Sequence, residues 1–145
     1  MEIVQLGPGD NDKVRAAGHL FDAPPVDDAV ERFLTDDRHH LFVAYKDDLP
    51  VGFVSGVELT HPDKGTEMLL YELAVDEEHR RQGIGGALVR RLAAHARDRD
   101  CYGMFVLTDD DNAAALATYG TDGAAREDGI VIFTWEPPAP AASAD

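Results

Sequence analysis

Apolar positions along the chain switch between a period of two and a period near four, and each switch marks an element. Ile3 to Leu6 alternates weakly and predicts a short first strand, closed by Gly7-Pro8-Gly9. Asp10 stands where a helix cap belongs, and Val14, Ala17, Gly18 and Phe21 recur at helical spacing up to the break at Pro24-Pro25. Asp27 can cap a second helix carrying Val30, Phe33 and Leu34.

Two β-rich runs follow, Leu41 to Tyr45 and Val51 to Leu59. The turn formers from Lys46 to Pro50 between them predict a hairpin. His61 to Thr66 reads as a polar loop, Met68 to Val75 as a third apolar run, and Asp76 to Gln82 as a charged connector. From Gly83 the period changes, with Ile84, Leu88, Leu92 and Ala96 spaced by four, which makes a strand, loop, helix unit. Gly103 to Thr108 predicts another strand, and Asp109 to Asn112 start a short helix through Tyr119. Ala124 to Arg126 with Ile130 to Trp135 predict a closing hairpin around Asp128-Gly129. The order β α α β β β α β α β β implies one α/β domain with a mixed sheet over residues 1–136, and the Pro/Ala-rich stretch 137–145 reads as a disordered tail.

At 145 residues the chain is long enough for one domain that buries about 70% of the surface its unfolded form exposes. Its charge changes the picture more than its length. Asp and Glu outnumber Lys and Arg by 28 to 13, and a net charge of −15 repels phosphate backbones and anionic membrane surfaces, so neither nucleic acid nor a membrane is an expected partner. The same field attracts cations and favours an amine substrate, and it serves solubility equally well. One cysteine, Cys101, leaves no internal disulfide to require an oxidising compartment. Met1 to Gly7 carries no basic stretch followed by an apolar run, and no segment approaches the roughly 20 apolar residues of a membrane span, so the cytoplasm is the expected location. Histidines at 19, 39, 40, 61, 79 and 95 lack the paired spacing of a zinc helix, and no metal is expected. Ser55 lies between Val54 and Gly56, outside any nucleophile-elbow setting.

The chemistry sits at Arg80-Arg81-Gln82-Gly83-Ile84-Gly85-Gly86-Ala87, between an apolar strand and an amphipathic helix. Unpaired backbone N–H groups and the helix dipole there favour a bound phosphate. Glycines at 83, 85 and 86 let the backbone approach it closely, and Arg80 or Arg81 adds positive charge. A solvated basic turn before a glycine-rich helix start would look the same. Rossmann spacing would need Gly or Ala at Leu88, and a P-loop would need Lys followed by Ser or Thr, so both are excluded.

Arg80-x-x-Gly83-x-Gly85 after Leu73-Ala74-Val75 resembles the acetyl-CoA signature of the GNAT N-acetyltransferase superfamily. Asn112, Ala115, Tyr119 and Gly123 stand at the spacing of that superfamily's later motif, with Ala124 departing from its usual aromatic. Within the superfamily, Tyr71-Glu72-Leu73-Ala74-Val75 and Glu77 to Ile84 look like the aminoglycoside 3-N-acetyltransferase branch. The resemblance implies a mixed, mostly antiparallel sheet flanked by helices, with splayed central strands holding acetyl-CoA as cosubstrate. It further implies that backbone groups of Leu73, Ala74 and Val75 hold the pantetheine arm. The N–H groups of Arg81, Gln82, Gly83, Ile84, Gly85, Gly86 and Ala87, beside Arg80, would hold the pyrophosphate.

Acyl transfer to nitrogen needs a deprotonated amine and a proton for the leaving thiolate. Glu72, in the otherwise apolar run Leu69 to Val75, is the expected general base, against the alternative of a carboxylate on a polar strand face. Tyr119 matches the family's general acid, against an ordinary core tyrosine. Asn112 is read both as a coenzyme contact and as a helix cap, and Asp109 as a contact for substrate ammonium groups beside solvated Asp110 and Asp111. The leading expectation is acetylation of a small cationic amine, an aminoglycoside at its 3-N position. The alternatives are a protein N-terminus, a lysine or another small amine, and a non-catalytic acetyl-CoA-binding module that would have no need of Glu72 and Tyr119. A homodimer is also expected, because related enzymes often pair.

Overall fold

Strand follows strand in the order of the chain, so that each apolar run pairs with the one before it. A computed structural model describes residues 1–137, and the tail expected from Pro137 lies outside the described residues beyond its first member. The sheet consists of β1 (Glu2–Leu6), β2 (His39–Lys46), β3 (Leu49–His61), β4 (Gly65–Val75) and β5 (Met104–Val106), in the spatial order β1-β2-β3-β4-β5. The first four pair antiparallel and β4 with β5 parallel, which makes the sheet mixed.

The β2–β3 hairpin turns at Asp47 and Asp48, with φ of 51° and 65°. Positive φ at both central residues matches the twist of a two-residue hairpin, and Asp tolerates that conformation better than most side chains. The polar loop expected over His61 to Thr66 is instead the tip of a long β3–β4 hairpin. There the Thr60 and Thr66 hydroxyls lie 2.9 Å apart and His61 Nε2 lies 2.8 Å from Glu67 Oε1. Polar cross-strand pairs complete the ladder where no apolar alternation signals a strand.

Helices cover both faces. On one side α3 (Ile84–Asp98) buries Ile84, Leu88, Leu92 and Ala96 against Phe42, Val54, Met68 and Leu70. Its approach is close: a Cβ on Gly56 of β3 would sit 2.8 Å from Leu92 Cδ1, so this strand glycine lets the helix rest on backbone. On the other side α1 (Asn11–Ala16), a 3-10 turn (Gly18–Leu20) and α2 (Asp27–Thr35) pack Val14, Leu20, Val30 and Leu34 against Leu41, Val43 and Phe53. The single helix expected through Phe21 is broken before Gly18, a poor helix former. Asp10 occupies the cap position of α1, but its carboxylate accepts from the Gly7 N–H at 2.8 Å, and Asp27 is the first residue of α2 instead of its cap.

A polar chain crosses the α3 face. The Arg99 guanidinium and His40 Nε2 both reach Glu58 Oε2, at 2.7 Å each, and His95 Nε2 lies 3.0 Å from His40 Nδ1.

The expected closing hairpin is absent. The strand foreseen over Gly103 to Thr108 shrinks to Met104–Val106, α4 (Ala113–Thr121) follows a short turn, and residues 124–137 form neither strand nor helix. Gly129 adopts φ of 81° and Arg126 pairs with Asp128 at 2.9 Å. Ile130 to Phe133 and Trp135 nonetheless stay exposed, from 58% to 88%. Alternating apolar residues supply strand propensity, whereas a strand also needs a partner beside it.

Candidate active site

The site is built on an irregularity in β4. Ser55 pairs with Glu72 and the next residue, Gly56, with Leu70, so Tyr71 is an extra residue on β4 and the strand bulges. Without the bulge Leu70 and Glu72, two apart, would share a face. With it, Leu70 and Leu73 pack towards α3, while Ala74 and Glu72 turn to the α1–α2 side. The buried Ser55 Oγ accepts the Glu72 N–H at 3.2 Å and fastens the bulge.

On that side Glu72 opens into a pocket of about 190 Å³, walled by Phe21, Pro25, Val30, Phe33 and Leu41, with Ser55 as its other polar member. The residue remains accessible at the mouth, and partial burial of its carboxyl, with Asp22 nearby, raises its pKa above the ordinary carboxylate value.

The opposite side of β4 is shaped by divergence. β5 pairs with β4 only at Met68, Leu69 and Leu70, so the edge of β4 that carries Leu73, Ala74 and Val75 has no strand partner on the β5 side among the described residues. Its other edge is satisfied by Val54, Phe53 and Gly52. The Arg80 Nε donates to the Val75 carbonyl at 3.3 Å and ties the following turn to the strand.

In that turn Arg81 and Gly83 have φ of 62° and 80° on either side of Gln82. Gly83 caps α3 without any side-chain hydrogen bond, and the first helical bond runs from the Ala87 N–H to the Gly83 carbonyl at 3.1 Å. The N–H groups of Ile84, Gly85 and Gly86 are therefore left to an outside acceptor, at the positive end of a 15-residue helix. A Cβ on Gly83 would meet nothing within 4 Å, and one on Gly85 only ordinary contacts with Thr118 at 3.6 Å and Val75 at 3.8 Å, so packing requires neither glycine, although the φ of 80° at Gly83 favours one. Lys46 Nζ donates to Gln82 Oε1 at 2.7 Å and adds a third cation beside Arg80 and Arg81. Sequence reasoning missed Lys46, because it lies in a different hairpin 36 positions away.

Tyr119 lies on α4 next to Thr118, half-buried against the core that α3 forms with the sheet, and burial raises its phenol pKa. Asn112 caps α4, its side-chain oxygen accepting the Ala115 N–H at 3.1 Å. Asp109 is exposed in the turn before α4, where its carbonyl accepts the Asn112 N–H at 3.1 Å, and it is not part of the wall around Glu72. Among the described residues, no group of three or more His, Cys, Asp or Glu could hold a metal ion, and no helix is long and apolar enough to cross a membrane.

Splayed strands and an open anion cradle at one end of a helix meet a family pattern over residues 11–123, that of the acetyltransferase (GNAT) family. This chain belongs to the GNAT family. It is 30% identical over 111 residues to N-acetyltransferase 8 of Homo sapiens, a match covering 76% of this chain and 49% of that protein. The chain thus spans about half the length of the curated relatives it matches. Among solved structures, an aminoglycoside acetyltransferase, meta-AAC0020, from an uncultured soil metagenomic sample in complex with sisomicin superposes with a TM-score of 0.86 at 23% identity, covering 94% of this chain and 95% of that one. Aminoglycoside N-acetyltransferase AAC(6')-Iy in complex with CoA gives a TM-score of 0.78 at 18% identity, with 94% and 95% covered. At these identities the likeness shows the GNAT fold.

Proposed function

We propose that the chain is an acetyl-CoA-dependent N-acetyltransferase acting on a primary amine. The observation that carries the reading is the two-sidedness of β4: the bulge at Tyr71 aims Glu72 into a pocket on one face, while the same strand runs along an open edge into an anion cradle. Membership of the GNAT family and the CoA bound in a structure of the same fold support acetyl-CoA as cosubstrate.

The cradle fits a pyrophosphate by chemistry as well as by shape, with three unpaired N–H groups, a helix dipole and Arg80, Arg81 and Lys46 around it. The unpartnered edge at Leu73 to Val75 fits the amide-bearing pantetheine arm, and the Asn112 side-chain nitrogen, its oxygen being engaged in the cap, is the group that would reach the same arm. When bound, acetyl-CoA supplies an acetyl thioester whose transfer to nitrogen releases a thiolate. Glu72 takes the proton from the ammonium nitrogen, directly or through water, and its raised pKa makes it a stronger base than an ordinary carboxylate. The Tyr119 hydroxyl, held protonated by burial, gives its proton to the departing sulfur.

A second reading of the acceptor is an aminoglycoside modified at the 3-N position. It draws on the net charge of −15, on the Tyr71 to Val75 resemblance, and on the sisomicin complex of a protein with the same fold. Asp109 would then hold an ammonium group at the mouth. Thiol release from acetyl-CoA, measured against a panel of simple amines, lysine peptides and aminoglycosides with product masses recorded, tests both readings. Acetylation of any amine is the expected result, selectivity within the panel assigns the acceptor, and acetyl-CoA binding with no acetylated product would overturn the enzyme in favour of a binding module.

A further inference from the structure

The pocket in front of Glu72 carries information about the acceptor that the family pattern does not. Its lining comprises ten apolar residues and only two polar ones, Ser55 and Glu72. Ser55 is buried and already accepts a hydrogen bond from the Glu72 backbone, so Glu72 is the one charged group in the lining. The apolar wall comes mainly from α2 and the segment before it, with Phe21, Pro25 and Phe33 half-buried and able to lose further area to a ligand.

Charge and volume each limit what can occupy such a space. A polycation placed here would bring several ammonium groups against aliphatic and aromatic carbon, with Glu72 the one carboxylate in the lining and Asp22 nearby outside it, and each ammonium held against the apolar wall would lose its hydration. A single ammonium beside Glu72 with a hydrocarbon group against the wall leaves nothing unpaired. An apolar cavity of about 150 Å³ takes up benzene, so about 190 Å³ accepts a phenyl ring with a short linker or an alkyl chain of similar bulk.

The geometry points to a primary amine carrying one apolar substituent, of roughly six to eight heavy atoms on this volume comparison, as the acceptor class: an arylalkylamine or medium-chain alkylamine whose nitrogen sits at Glu72 and whose tail lies between α2 and the sheet. The inference rests on the acetyltransferase reading and narrows it. It separates the acidity of the protein as a whole from the character of its acceptor site.

A homologous series of n-alkylamines from methylamine to decylamine, with 2-phenylethylamine and gentamicin-type aminoglycosides alongside, tests it through kcat/KM for thiol release. Burial of each methylene predicts a rise of about three- to fourfold per carbon, levelling off near six to eight carbons. Ala29 lines the pocket from an exposed position on α2, so Ala29→Trp fills the space without removing core. The variant is expected to cost hexylamine at least tenfold and methylamine less. A flat series, or an aminoglycoside exceeding hexylamine tenfold, overturns the inference while leaving the acetyltransferase reading intact. If no amine is acetylated, that reading fails, and calorimetry of hexylamine on the protein without acetyl-CoA decides the pocket separately. Binding that Ala29→Trp weakens tenfold upholds it, and no binding to the unaltered chain overturns it.

Discussion

The two sides of β4 were made by different means. The side proposed for the coenzyme is a contiguous stretch, Arg80 to Ala87, built on backbone groups: N–H donors at a helix start, two positive φ angles and glycines that leave the backbone bare. The side proposed for the acceptor is assembled from side chains that lie up to 58 positions apart, Val14 to Glu72, and its shape depends on how α2 rests on the sheet. A chemical task common to many enzymes is met by local geometry, and the selective one by surfaces that can change residue by residue without disturbing the cradle.

Substitutions that strike one side alone sharpen the contrast. The largest effect is expected from Glu72→Gln, which removes the base without altering the cradle: kcat should fall about 100-fold or more, with acetyl-CoA affinity retained. In the unaltered protein the rate should rise with pH through the raised pKa of Glu72, because the base acts only when deprotonated, and the variant should lose that limb. Equal loss of coenzyme binding in calorimetry would erase the distinction between the sides. Tyr119→Phe should lower kcat by roughly 10- to 100-fold, at the lower end of general-acid contributions, again with little change in the acetyl-CoA dissociation constant. An unaltered turnover number would remove Tyr119 from the mechanism.

Gly83→Val strikes the other side. A β-branched residue at φ of 80° is strained, and its side chain occupies space that no protein atom fills within 4 Å. Acetyl-CoA affinity should fall about tenfold, the equivalent of one lost charge-assisted hydrogen bond, while amine binding measured without the coenzyme holds. The smallest effect concerns neither side. Burial, helped by His40 and Arg99, depresses the His95 pKa below 6.5. The unfolded chain then binds more protons than the folded one just below pH 6.5, and stability falls as pH drops through that window. His95→Gln should flatten the dependence of the thermal midpoint between pH 6.5 and 5, and an unchanged slope would place the responsible group elsewhere.

Legibility in the sequence followed the same division. The order of elements up to α4, the spacing of Ile84, Leu88, Leu92 and Ala96, and the cradle could all be read from neighbours within a few residues. Tyr71 as the bulged residue could not, since a bulge is defined by the partner strand, and a plain alternation puts Glu72 on the same face as Leu70. Lys46 beside Gln82 was equally hidden. The hairpin expected over Ala124 to Trp135 erred in the opposite direction, because its local signals were read without a neighbour to pair with.

The sequence by itself determined the family, the glycine-rich turn before α3 and the residue types proposed for proton transfer, because each depends on short-range spacing, period and backbone freedom. Only the tertiary structure decided which way Glu72 points, which edge of β4 stays open and how apolar the space before the carboxylate is. Those depend on registers and packings between segments far apart in the chain, where no local pattern carries the constraint.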